Sequence, residues 1–145
     1  MAKYVFKFQS IMKVKEMLEK KVQEEISRIN KEIDDLMFEM KHVGNELKRI
    51  SIQSMEQSST VADFKSMKMF ESHLRNQVEA IEKKINMLNR KKEEKQLELI
   101  EKKREIKSLE IIKENDLQNF LIEERKNELK ALNEVALRNF NGEQS

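Results

Sequence analysis

The chain contains no cysteine, no proline and no tryptophan, and its only glycines are Gly44 and Gly142. Without cysteine there is no disulfide framework and no thiolate zinc or iron–sulfur site. Without proline, and nearly without glycine, the tight turns that an all-β or α/β fold needs have no residues to build them. Two isolated glycines cannot write a G-x-x-x-x-G-K loop or a G-x-G-x-x-G turn, so those phosphate-binding motifs are excluded. No apolar run approaches the roughly 20 residues of a membrane span. The opening stretch from Met1 to Phe8 is broken by Lys3 and Lys7, unlike a signal peptide. A soluble cytoplasmic protein without direct membrane insertion is the expectation.

What the chain does have is charge of both signs and helix-forming residues. Of its 145 residues 39 % are charged, yet 29 Lys and Arg against 27 Asp and Glu leave a formal charge of only +2. That balance argues against nucleic acid and against an anionic membrane as partner. Between Arg90 and Lys107 acids are interleaved with the bases, as on a solvated helix with intrahelical pairs such as Glu98 with Lys102. Glu, Lys, Leu, Ile and Met dominate, which favours long helices.

Apolar residues mark a helical stripe through the first third: Ile11, Val14, Leu18, Val22, Ile26, Ile29, Ile33, Leu36, Met40, Val43, Leu47 and Ile50. The mean spacing of about 3.55 residues predicts a mostly left-handed seam, with a stutter between Leu18 and Ile26. Gly44 interrupts the stripe and predicts a slight kink or a close contact. The stripe ends in the serine-rich stretch 51–60, and serines favour caps and turns. Thr60-Val61-Ala62-Asp63 reads as a capping box with Asp in place of Glu. A second stripe follows at Phe64, Met67, Phe70, Leu74, Val78, Ile81, Ile85 and Leu88, then fades where the heptad puts Lys92, Lys95 and Lys102 on the seam. Apolar positions return at Ile106, Leu109, Ile112, Leu117, Phe120 and Leu121, then at Leu129, Leu132, Ala136 and Phe140, in what reads as a shifted phase. Gly142 stands where a C-terminal cap is expected.

These patterns predict an all-α fold: a long antiparallel two-helix coiled-coil hairpin forming a single domain over 1–145. The first helix is expected over about 5–52, the bend over 53–60 and the longer second helix over 61–140. A bend centred near residue 56 would set residue 5 beside residue 107. Roughly 30 residues of the second helix would then have no intramolecular partner. That overhang carries an apolar face that needs burial.

Catalytic chemistry finds little support. Carboxylates are many, but a two-helix hairpin has no concave pocket to perturb them, so no enzyme and no cofactor is expected. His42 and His73 fall almost equally far from the bend, with Glu39, Glu46 and Glu71 nearby; exposed histidines are favoured over a metal site. Met37, Met55, Met69 and Phe38 lie off the stripes. They read equally as an adaptable binding surface or as packing around the turn.

The opening Phe6-Lys7-Phe8-Gln9-Ser10-Ile11-Met12-Lys13-Val14-Lys15-Glu16 resembles the start of the FliJ family of flagellar export proteins, with its Phe-x-Phe element, aliphatic pair and aliphatic-basic-acidic triplet. The stretch from Glu124 to Glu134 resembles that family's end, with Asn133 where Asp is common. The length, the serine-rich bend and the long second helix also fit. The resemblance implies a non-enzymatic hairpin similar to the central stalk of rotary ATP synthases. It would insert helix ends into the hexameric flagellar export ATPase, FliI, and promote its assembly and hydrolysis. It would also contact the export-gate membrane protein FlhA near the tip, at the cytoplasmic face of the cell membrane. Some members escort export chaperones. Carried onto this sequence, the gate surface maps to Leu36, Met40, Val43, Leu47, Phe70, Leu74 and Ile81. Where the overhang meets the aromatic N-terminus, Phe6, Phe8, Ile112, Phe120, Arg125, Lys126 and Lys130 are the candidate ATPase contacts. The rival expectations are a structural coiled-coil dimer and a holdase-type chaperone.

Overall fold

The computed structural model describes residues 3–56 and 60–143. It contains two helices, α1 (Gln9–Glu56, 48 residues) and α2 (Val61–Glu143, 83 residues), with no strand among the described residues. The fold is the all-α antiparallel hairpin, with the second helix the longer.

Two compact units make up the chain: residues 20–100, and residues 1–19 with 101–145. In the first unit the seam on α1 runs Val22, Ile26, Ile29, Ile33, Leu36, Met40, Val43, Leu47, Ile50, Ser54. On α2 it runs Met67, Glu71, Leu74, Val78, Ile81, Ile85, Leu88, Lys92, Lys95, Leu99. Seven of these residues, Ile29, Ile33, Val43, Ile50, Leu74, Ile81 and Ile85, form one buried apolar cluster. Each such side chain contributes about 1.5–3 kcal/mol on leaving water. The antiparallel direction is read from two contacts. Ser51 meets Glu71, ten residues either side of Val61, and Glu25 meets Lys95, thirty-five either side of Thr60.

In the second unit, buried or half-buried positions continue at Met12, Lys15 and Glu19 on α1, and at Lys102, Ile106, Leu109 and Lys113 on α2. This corrects two expectations. Ile11, Val14 and Leu18 are exposed rather than on the seam. With Met12, Lys15 and Glu19 in their place, the steps alternate strictly between three and four from Met12 to Ser54, and no stutter exists. On α2 the alternation is likewise unbroken from Met67 to Lys113, so the phase does not shift. The reason is the same on both helices: charged side chains occupy seam positions, and an apolar pattern hides them.

The ends also differ from expectation. α1 starts at Gln9 rather than near residue 5, because residues 3–6 are not helical and a turn at Phe6–Gln9 leads into the helix. The stretch 53–56 stays helical: Ser54 turns its hydroxyl back to donate to the Ser51 carbonyl at 3.0 Å and is itself buried. The rest of the expected bend, 57–59, lies outside the described residues. α2 begins at Val61, where the Asp63 amide donates to Thr60 Oγ1 at 3.1 Å and the Phe64 amide to the Thr60 carbonyl. Gly142 does not cap α2; it has no positive φ and the helix continues to Glu143. Gly44 makes no close contact, since a Cβ there would meet nothing within 4 Å.

Candidate docking surfaces

An extended chain advances about 3.3 Å per residue against 1.5 Å for a helix, so even a short non-helical segment reaches further along a neighbouring helix than a helical one. Residues 3–8 do this against α2. Phe6 is buried with Met12 and Ile106, and Tyr4, Phe8 and Leu109 pack around them. The Phe6 and Phe8 rings meet edge-on at 5.8 Å. Lys113 holds the segment: its Nζ donates to Gln9 Oε1 at 3.1 Å and lies 5.8 Å from the Phe6 ring centre. Beyond it, the Tyr4 hydroxyl donates to Asp116 Oδ2 at 3.0 Å and its ring tilts against Phe120 at 5.4 Å. Desolvation and the facing Asp116 carboxylate push the Tyr4 phenol above its ordinary value.

The N-terminal segment therefore covers α2 as far as Phe120, well past the residue 107 expected from sequence. The uncovered part of α2 is correspondingly shorter. From Leu121 to Gly142 every described side chain except Glu124 is exposed. Leu121, Ile122, Leu129, Leu132, Val135, Leu137 and Phe140 are all open to solvent there. The candidate ATPase contacts divide accordingly. Arg125, Lys126 and Lys130 are exposed on this bare end, and Ile112 is exposed nearer the N-terminal segment. Phe8 and Phe120 are half-buried, and Phe6 is only 6 % exposed.

Polar contacts fix the middle of the seam. Lys15 Nζ lies 2.8 Å from Glu105 Oε2, an ion pair by distance whose angle falls outside hydrogen-bond geometry. Lys102 approaches the same carboxylate at 3.8 Å. In the other unit Lys95 meets Glu25 at 2.7 Å and Glu98 at 3.3 Å. Lys95 holds the Glu25 carboxyl, and Lys15 the Glu105 carboxyl, below the usual range, while Glu25 and Glu98 raise Lys95.

Nearer the turn, Glu71 is buried yet fully engaged. It accepts from Arg75 at 2.9 Å, Lys68 at 3.1 Å and Ser51 at 3.2 Å. Arg75 and then Lys68 hold its carboxyl low. Of the candidate gate residues, Val43, Leu74 and Ile81 are buried in the seam and Leu36, Met40 and Leu47 pack against that core. Only Phe70 is open, at 45 % exposure, with its ring 6.4 Å from His73. The exposed apolar residues of this end are others: Ile52, Met55, Val61, Phe64 and Met69, with Met37 and Phe38 further along α1.

The sequence reading missed Tyr4, Lys113 and the cross-helix ion pairs. The pairs had a usable signal, since Lys95 with Glu25 and Lys15 with Glu105 are opposite charges equidistant from Thr60. Among the described residues no three His, Asp or Glu side chains converge as a metal site. No described helix is long and apolar enough to cross a membrane.

A protein-family model described as "Flagellar FliJ protein" matches residues 4–145. No curated protein and no solved structure matches the chain.

Proposed function

The chain belongs to the FliJ family of flagellar export components, and from that membership we propose that it is a non-enzymatic stalk that binds and stimulates the hexameric export ATPase FliI and links it to the export gate FlhA. The observation that carries this reading is the bare end of α2. Some twenty residues there hold an apolar face, including Leu129, Leu132 and Phe140, among the cations Arg125, Lys126 and Lys130. A helix of that length without tertiary support is marginal in water, so burial in a partner stabilises it. The ATP chemistry belongs to the partner, which receives a helical end with apolar and cationic groups. The protein would work in the cytoplasm, peripheral to the membrane through the export apparatus, and export chaperones are further candidate partners.

The gate contact falls, in this reading, on exposed side chains of the hairpin end such as Phe70, Phe64 and Met69. Leu36, Met40, Val43, Leu47, Leu74 and Ile81 would serve it by holding the two helices in register, because a side chain in the seam cannot also face a partner.

The test is steady-state ATP hydrolysis by the export ATPase with increasing amounts of the full chain and of a chain ending at Glu124. A saturable rise that the truncated chain fails to produce supports the stalk reading. A competent ATPase that does not respond to the full chain refutes it. Sedimentation of the chain alone at several concentrations separates this reading from a homodimer formed through the same face.

A further inference from the structure

Residues 3–8 carry two periodicities at once. As extended chain, alternate side chains face α2: Tyr4 and Phe6 are turned in, while Lys3, Val5 and Lys7 are exposed. As helix, the unbroken alternation of three and four that starts at Met12 continues backwards to Phe8 and Val5. Those two would then sit on the seam, and Phe6 would face outward. Val5 is 77 % exposed in the extended form, so the helical form buries a side chain that is now mostly open to solvent.

We propose that residues 3–8 are a two-state strap, extended over Ile106, Leu109 and Phe120 in one state and a helical continuation of α1 in the other. The switch exchanges the buried Phe6 and the half-buried Tyr4 for Val5, while Phe8, already half-buried beside them, stays on the seam. It also changes reach: over the three steps from Lys3 to Phe6, outside the turn, the extended form is roughly 5 Å longer than the helix. The helical state therefore uncovers Phe120 and lengthens the bare face of α2 toward the paired region. Any partner that grips Phe6 or Phe120 favours the helical state by its differential affinity, with no other change in the hairpin.

The junction has the geometry of a switch point. The Gln9 amide donates to the Phe6 carbonyl at 3.2 Å, closing a four-residue turn with Lys7 at its second position. Helical hydrogen bonding starts only with the Met12 amide on the Phe8 carbonyl at 2.9 Å. Proline suits the second position of such a turn and forces the preceding residue to be extended, so Lys7→Pro holds the strap. Phe6→Ala removes its buried anchor and adds a strong helix former.

Tyr4 is the only tyrosine and there is no tryptophan, so its fluorescence reports the strap without background. The full-length chain and both variants are compared by acrylamide quenching of Tyr4 and by Cα secondary chemical shifts of residues 4–8. In Lys7→Pro, Tyr4 is at least as protected as in the parent and the shifts stay extended. In Phe6→Ala, the quenching constant rises several-fold and the shifts turn helical. The proposal is overturned if Lys7→Pro exposes Tyr4, if Phe6→Ala leaves it protected, or if Phe6→Ala exposes it with coil-like shifts.

Discussion

Leu74→Ala and Leu132→Ala place the same chemical change in two different environments on one helix. Leu74 is 4 % exposed within the apolar cluster of the seam, whereas Leu132 is 65 % exposed on the bare end. Each substitution removes three carbons. At about 0.8 kcal/mol per buried methylene, Leu74 loses about 2.4 kcal/mol of transfer energy. A residual cavity adds to this, although a two-helix seam is open at its sides and collapses readily; about 2–3 kcal/mol is expected, near the low end for buried leucines. At Leu132 little tertiary burial is lost and Ala is the better helix former, so the change stays within about 0.5 kcal/mol. Urea unfolding followed by far-ultraviolet circular dichroism reads both. Leu74→Ala moves the midpoint down at unchanged slope, and Leu132→Ala leaves the midpoint in place. Equal losses for the two variants would refute the division of α2 into a paired part and a bare end. If the stalk reading holds, ATPase stimulation responds in the opposite order, falling in Leu132→Ala while folded Leu74→Ala retains it.

Two further outcomes follow from local geometry. Gly44→Ala has open space for its Cβ and no positive φ to lose, so it stabilises the hairpin by about 0.5–1 kcal/mol, visible as a higher thermal midpoint; a lower one would mean that the glycine serves packing. Stability should also fall at both extremes of pH. Glu25, Glu71 and Glu105 have folded values below the ordinary 4.5, so their contribution is complete above 4.5 and is lost as pH falls through the lower folded values. Lys95 has a folded value above 10.5, so its contribution is complete below 10.5 and is lost as pH rises through the folded value. Denaturant midpoints across pH check this, and Glu25→Gln should flatten part of the acid limb; an unchanged acid limb in that variant would discount the ion pair.

The two helices and the serine-rich region between them were legible from composition and periodicity, because breakers are nearly absent and Thr60 caps a helix in the usual way. Register was not legible. Choosing Ile11, Val14 and Leu18 for the seam follows hydrophobicity, whereas burial follows the strict heptad through Lys15 and Glu19. A lysine on the seam reads as a defect in one helix alone; its partner, Glu105 for Lys15, is ninety residues away. The same blindness affected the N-terminus. Phe6 and Phe8 were legible as candidates, but a helical frame cannot anticipate an extended segment that buries Phe6 and takes Tyr4 to Phe120. At the gate candidates, apolar helical spacing marked residues that hold the hairpin together, and Phe70 alone among them is open.

The charged residues in the seam have a consequence for how the chain finds its alignment. A seam of leucine and isoleucine alone tolerates sliding one helix past the other by seven residues, since apolar side chains again meet apolar side chains. Here a slide in one direction brings Glu25 level with Leu88, and a slide in the other brings Lys15 level with Ile112. The first slide strands Glu25 against hydrocarbon while setting Lys15 level with Glu98, and the second leaves Lys15 beside the half-exposed Ile112 while setting Glu25 level with Lys102, so each loses one of the two native ion pairs outright. The ion pairs thus act as a vernier for the folding hairpin: only the native alignment satisfies both at once, a distinction that hydrophobic burial by itself does not draw.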